Sequence, residues 1–248
     1  MTSQFKEAAS ATEPIELLIF DLDGTLYDRD NGYTQHVHDN IFRFMAKTEG
    51  GKFDAIDSVA TARKVWEPIF AKYNLTKRGL MAEGYDFDPI HYDTFIRRGA
   101  SNFFAKDPVL REVLQSMPQR KVIFTNAPES SANEILQLLG VADLFDCVYG
   151  TDFLQNKVCK PEIAAFEKVL AEHASVPVSR ICYFEDSFKN LVAGQKLGFR
   201  SVFIRSAATT DGDNFASADL EKFDAVLVGS VSEDRQRLRE QLPGLWAK

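Results

Sequence analysis

The sequence predicts an α/β fold: an open parallel sheet covered by helices, with a helical segment inserted into it. Three observations lead there. Short apolar runs recur along the chain, separated mainly by stretches with helical periodicity or by turns. The polar residues suited to chemistry collect where those runs end, which is where open parallel sheets bind ligands. One long segment, residues 31–104, carries helical patterns and no comparable strand run.

The first run is Leu17-Leu18-Ile19-Phe20, continuously apolar and closed by Asp-x-Asp-Gly-Thr, as expected for a strand buried on both faces and ending in a turn. Later runs are Val122-Ile123-Phe124, Cys147-Val148-Tyr149, Ile181-Cys182-Tyr183-Phe184, Ser201-Val202-Phe203-Ile204 and Ala225-Val226-Leu227-Val228. Within 31–104, Val37, Ile41, Phe44 and Met45 share one helical face, and Val59, Ala62, Trp66, Ile69 and Tyr73 share another. Pro68 falls inside the second pattern, so that helix is expected to kink or end nearby. Asp107 reads as an N-cap with Pro108 at the first helical position, followed by Leu110, Val113, Leu114 and Met117 on the inner face. A helix over 129–139 should stop at Gly140, Pro161 should open the next, and one over 188–197 should stop at Gly198. The expected organisation is a frayed tail at 1–14, a core from 15–30 and 105–248, and an inserted helical cap at 31–104.

The chain has 248 residues, of which 45% are apolar and 26% charged, with a formal net charge of −7. That balance disfavours a nucleic-acid polymer or an anionic membrane as partner, since both call for a basic face. No apolar run approaches the roughly 20 residues of a membrane-spanning helix. Cys147, Cys159 and Cys182 are odd in number and lack C-x-x-C spacing, which gives neither a disulfide framework nor a thiolate zinc site and fits a reducing cytoplasm. The first residues lack the apolar stretch of a secretory signal. A small molecule is the expected partner; spacing does not specify the oligomeric state.

Candidate chemistry begins at Asp21 and Asp23. Two carboxylates at i and i+2 can face one phosphate at the mouth of the sheet where the chain leaves it, which Gly24 permits. One carboxylate is a competent nucleophile toward a phosphoryl group, and the other suits proton transfer. Taken alone, the same residues also make an ordinary turn. Thr125 and Asn126 offer a hydroxyl and a backbone N–H to a phosphate oxygen, or else an N-cap. Lys160, between a loop and a helix start, is a cation positioned to hold nucleophile and phosphate together, though singly it reads as a surface lysine. Glu185 and Asp186 are adjacent carboxylates at a strand end, costly without a cation. Magnesium suits such a site, with Asp21, the Asp23 carbonyl and Asp186 as its ligands.

Asp21-Leu22-Asp23-Gly24-Thr25, Thr125-Asn126, Lys160-Pro161 and Glu185-Asp186-Ser187-x-x-Asn190 together resemble the four ordered motifs of the haloacid dehalogenase superfamily. The resemblance implies a Rossmann-like core with a cap inserted after the first motif. It also implies Asp21 as nucleophile, Asp23 as acid and base, and Thr125 and Lys160 as phosphate ligands. Magnesium would then be held by Asp21, Asp23 and Asp186, with Glu185 and Asn190 in support. Phe20 to Tyr27, Tyr73 to Leu80, Phe124 to Ala127, Leu138 to Asp146 and Val158 to Phe166 further resemble the pyrimidine 5′-nucleotidase branch. The implied activity is hydrolysis of a small phosphomonoester, a pyrimidine nucleoside 5′-monophosphate first. Pyridoxal phosphate, sugar phosphates and phosphomutase chemistry are the alternatives. Asp23 disfavours a dehalogenase, and a non-catalytic binding protein would require a lost motif residue, whereas none is missing. Tyr33, Arg78, His91 and Tyr92 are the compositional candidates for contacts to the base.

Overall fold

The computed structural model describes residues 14–46, 53–206 and 217–246. The tail expected at 1–14 lies, except for Pro14, outside the described residues. Six parallel strands form one sheet: β1 (Leu17–Phe20), β2 (Arg120–Phe124), β3 (Cys147–Tyr149), β4 (Ile181–Glu185), β5 (Arg200–Arg205) and β6 (Ala225–Val228), in the order β3-β2-β1-β4-β5-β6. The period of two along β1 explains its unbroken apolar run: Leu18 and Phe20 join one apolar cluster, Leu17 and Ile19 another, and all four are buried. Phe20 pairs with Ile123 on one side and Phe184 on the other, so the carboxyl ends of β1, β2 and β4 lie level. The strand order reverses direction at β1, which makes its carboxyl end the crevice of the sheet.

Between β1 and the core helix α5 (Pro108–Ser116) lie α1 (Tyr33–Met45), α2 (Val59–Tyr73), α3 (Thr76–Ala82) and α4 (Pro89–Arg97). They share a continuous apolar cluster with Leu18 and Phe20. Asp107 caps α5, its Oδ1 accepting from the Val109 and Leu110 N–H groups at 2.9 Å each, as the Asp-Pro pair predicts. The helix α6 (Glu129–Leu139) stops at left-handed Gly140, and α8 (Phe188–Leu197) stops at left-handed Gly198. The short helices α9 (Ser217–Leu220) and α10 (Arg235–Gln241) flank β6.

Two expectations about proline meet different outcomes. The α2 helix continues past Pro68 and ends at Tyr73. Pro68 removes one N–H from the ladder, but buried Ile69 and the stacking of Trp66 on Phe70 anchor the turns beside it. Pro161 does not open a helix: α7 (Ile163–Glu172) starts later, because the Glu162 N–H closes a tight turn on the Cys159 carbonyl at 2.8 Å. That turn carries Lys160 at its corner. The three cysteines are free, and no helix among the described residues is long and apolar enough to cross a membrane.

Candidate active site

Asp21 continues the sheet for one more residue, its N–H donating to the Phe184 carbonyl at 2.9 Å, and its side chain is buried. The chain then turns away at Gly24, whose φ of +84° is left-handed. A Cβ at Gly24 would collide with the Asp186 carboxylate, so glycine is required both for the turn and for the approach of Asp186. The motif is therefore a turn and a site at once.

Lys160 Nζ donates to Asp21 Oδ1 (2.6 Å), the Phe124 carbonyl (2.7 Å) and Glu185 Oε2 (2.8 Å). Only 1% of this residue is exposed. Burial works against its charge, but Asp21 and Glu185 more than offset that and raise its pKa. Asn126 holds the lysine in place: its amide donates to the Lys160 carbonyl at 3.0 Å and accepts from the Lys160 N–H at 2.9 Å. The Asn126 side chain is thus engaged by the chain itself. Thr125 is buried, and its hydroxyl oxygen accepts from the Ala127 N–H at 3.0 Å, which leaves the hydroxyl proton for another acceptor.

Glu185 is saturated by Lys160, by the Tyr183 hydroxyl and by the Ser187 N–H, an arrangement that supports its neighbours. Asp21, Glu185 and Asp186 bring one carboxylate oxygen each within 4.8 Å of one another. Burial first, and then the charge of Glu185, push the Asp21 carboxyl up to about 7 despite Lys160. Asp186 is raised well above its ordinary value for the same reasons, the Glu185 and Asp21 charges adding to burial. Arg29, half exposed and 3.7 Å away, offsets little of this. Nearby, the Oδ1 of buried Asn190 has no hydrogen-bond partner among the described residues. An excess of buried carboxylate beside an orphaned amide oxygen is the donor set of a hard cation, so the residues present fit magnesium.

Asp23 sits in an arrangement that sequence reasoning missed. Arg97, at the end of α4, grips it with both guanidinium nitrogens, at 2.6 and 3.2 Å, and the Tyr27 hydroxyl donates to the same carboxylate. Burial opposes ionisation, but Arg97 and Tyr27 outweigh it and hold the Asp23 carboxyl below its usual value. Arg97 is itself positioned by α1. The Tyr33 hydroxyl donates to the Arg97 carbonyl (3.0 Å), the Asn40 amide to the Ile96 carbonyl (3.1 Å), and His36 Nε2 bonds the Arg98 carbonyl (2.8 Å). No local signal marks Arg97, because its partner lies 74 positions away in the chain.

All six candidate residues, Asp21, Asp23, Thr125, Asn126, Lys160 and Asp186, line one cavity of about 570 Å³, which extends between the strand ends and α1 to α4. Tyr33 and Tyr92 line it too. Arg78 and His91 do not: Arg78 is bound to Tyr73, Lys157 and Glu162, and His91 packs on Phe44 and Phe95.

A family model described as haloacid dehalogenase-like hydrolase matches residues 15–198. The chain belongs to that family. Phosphate metabolism protein 8 of Saccharomyces cerevisiae resembles this hydrolase at 26% identity over 200 residues, 75% of this chain and 60% of that protein, so the chain spans less than two thirds of that relative. A phosphoglycolate phosphatase of Cereibacter sphaeroides is 26% identical over 189 residues, 74% of this chain and 82% of that one. Among solved structures, the Bacillus subtilis protein YfnB, bound to magnesium, aligns with a TM-score of 0.58 at 14% identity, covering 93% of this chain and 99% of that one. The haloacid dehalogenase-like family protein SP0104 from Streptococcus pneumoniae aligns with a TM-score of 0.53 at 19% identity, covering 86% and 93%. These structural likenesses carry the fold, a Rossmann-like sheet of the kind the four motifs imply.

Proposed function

We propose that this hydrolase is a magnesium-dependent phosphomonoesterase that works through a phosphorylated Asp21. The observation that carries the reading is Asp21 itself, a buried carboxylate pinned by Lys160 at the switch point of the sheet, with Asp23 across the turn. The Asp21 carboxylate attacks phosphorus and the ester bond breaks. The departing oxygen takes its proton from Asp23. Water then attacks the aspartyl phosphate, Asp23 accepts the water's proton, and phosphate leaves. The Thr125 hydroxyl donates to a phosphoryl oxygen, and Lys160 binds another by giving up one of its three present acceptors. Magnesium, when bound, would offset the charge on the transferring group. Asp21, Asp186 and the Asp23 carbonyl are the residues to hold it, with Glu185 and Asn190 in support.

The grip of Arg97 keeps Asp23 ionised, the form that accepts a proton from water. Delivering a proton to the leaving group requires the protonated carboxyl, so this contact has to loosen in the first half of the reaction and tighten in the second.

The preferred substrate in this reading is a nucleoside 5′-monophosphate, a pyrimidine one first, with residues 31–104 acting as the cap that encloses sugar and base. Two features support it: the likeness to the nucleotidase branch, and a cavity walled by Trp66 and Phe70, whose rings stack at 4.8 Å. A phosphoglycolate-like substrate brings a second anion; of the cations lining the cavity, Lys77, Arg97 and Lys160 each carry a carboxylate partner and Arg29 lies 3.7 Å from Asp186, while Lys189 bonds the Asn74 amide oxygen. The test is a panel of phosphomonoesters with magnesium, including UMP, CMP, purine monophosphates, phosphoglycolate, pyridoxal phosphate and hexose phosphates, compared by kcat/KM. UMP or CMP is expected to lead. A preference of about tenfold or more for pyridoxal phosphate or a sugar phosphate over every nucleotide would remove the nucleotidase assignment.

A further inference from the structure

Thr34, His38, Asn74 and Arg97 bring polar groups to the cap side of the cavity, and beside them lies one cluster that the catalytic scheme does not use. Lys77 of α3 and Asp93 of α4 form an ion pair there, with Lys77 only 3% exposed. Beside Asp93, Tyr92 is 2% exposed, and its hydroxyl completes no hydrogen bond among the described residues. The Thr76 hydroxyl, which accepts from Trp66 Nε1 at 2.8 Å, lies beside it and keeps a proton and a lone pair of its own. Lys77, Asp93 and Tyr92 line the same cavity as Asp21 and Lys160.

Desolvating Lys77 and most of Asp93, whose side chain is 17% exposed, together with an unpaired hydroxyl is unfavourable, and an apolar contact between α3 and α4 would hold the helices together at least as well. The cost becomes intelligible if a ligand completes the cluster. Lys77 Nζ bonds Asp93 Oδ2 and keeps protons for a further acceptor, while Asp93 Oδ1 remains an acceptor for a further donor. Even with Lys77 beside it, burial keeps the Asp93 carboxyl above its ordinary value, so a second donor to this carboxylate would be favourable. The hydroxyl of Tyr92 can serve in either sense. Next to the cluster Trp66 and Phe70 stack on each other, 16° from parallel, and the bond to Thr76 holds the indole plane.

We infer that Lys77, Asp93 and Tyr92 are specificity-determining residues that read the leaving group, selecting a neutral planar ring whose edge presents a hydrogen-bond donor next to an acceptor. The amide-like edge of a pyrimidine base has this pattern. The inference rests on the phosphatase reading above and deepens it. Because the paired lysine is already neutralised, the cluster recognises polarity and shape and gives little to a carboxylate or a second phosphate. A site built to bond such an edge discriminates strongly, since a ligand lacking it leaves buried polar groups unpaired.

The test uses the full chain with magnesium and compares kcat/KM for UMP with that for p-nitrophenyl phosphate, which has a flat leaving group but no amide-like edge. In Tyr92→Phe and Asp93→Asn the ratio is expected to fall by about tenfold or more, mainly through KM for UMP. A second arm sets UMP against its N3-methyl analogue, which lacks the donor: the native chain should discriminate, and Asp93→Asn should lose most of that discrimination. Equal losses for all substrates, the behaviour of a mere staple between α3 and α4, would overturn the inference, as would an unchanged ratio in both variants. Thermal melting of Tyr92→Phe, which keeps the ring, separates misfolding from lost recognition. If the native chain hydrolyses another phosphomonoester but not UMP, the nucleotidase assignment fails, and the same ratio measured with that best substrate decides the inference. If it hydrolyses no phosphomonoester, both fail.

Discussion

Lys160→Met is the most informative perturbation of the site. The native ammonium is held by three acceptors, and two of them, Asp21 and Glu185, are buried carboxylates. Methionine fills similar space but leaves both carboxylates uncompensated, and breaking a buried pair in this way costs about 3–5 kcal/mol. For a chain of this size roughly 2–4 °C is lost per kcal/mol, so the metal-free variant should melt roughly 6–20 °C below the native chain. Calorimetry or circular dichroism in EDTA measures this directly. Adding Glu185→Gln to the variant should recover part of the loss, because one of the two stranded charges is then gone. Lys160 would be shown to be a peripheral cation, and the electrostatic argument for the site would fail, if Lys160→Met melted with the native chain and kept its turnover.

Other outcomes follow from the same geometry. Gly24→Ala should weaken magnesium binding and turnover together, since its Cβ collides with the Asp186 carboxylate and the residue has a left-handed φ; undiminished magnesium affinity would contradict the placement of Asp186. Arg97→Ala frees Asp23 from the contact that keeps it ionised, so dephosphorylation should slow relative to phosphorylation; a pre-steady-state burst of p-nitrophenol larger than the native one is expected, and an unchanged burst would count against the role given to Arg97. EDTA should abolish activity and magnesium restore it, with calcium a poor substitute because of its larger and more variable coordination shell. In the metal-free chain Asp21 is raised from 3.8 to about 7, first by burial and then by Glu185, so the folded state binds this proton more tightly than the unfolded one. Its contribution to stability is therefore present at acid pH and lost as pH rises through about 7, and denaturation series should show saturating magnesium flattening that decline; parallel series with and without magnesium would argue against a cation at this carboxylate.

Much of the fold could be read because parallel strands buried on both faces leave continuous apolar runs, and each of the six runs corresponds to a strand. The candidate residues were legible for a related reason: level strand ends bring Asp21, Thr125 and Asp186 to one mouth, and the turn at Cys159 to Glu162 adds Lys160. What escaped depends on tertiary contact. Arg97 reaches Asp23 only after α1 fastens the end of α4 through Tyr33, His36 and Asn40, and Lys77 meets Asp93 only when α3 and α4 pack. Arg78 and His91 carry suitable chemistry but are turned to other partners, which composition does not reveal. Pro161 misled because a local preference for a helix start gave way to the turn from Cys159 to Glu162.

In the proposed reaction Asp21 becomes phosphorylated. Acid-quenched samples of the full chain, taken during the first turnover with magnesium and p-nitrophenyl phosphate, can be digested and sequenced by mass spectrometry. One added phosphoryl group is expected on the peptide containing Asp21, localised to that residue, appearing with the first turnover and absent from a folded Asp21→Asn variant that no longer turns over. Full turnover by Asp21→Asn, or a phosphoryl group on any other residue in its place, would contradict it.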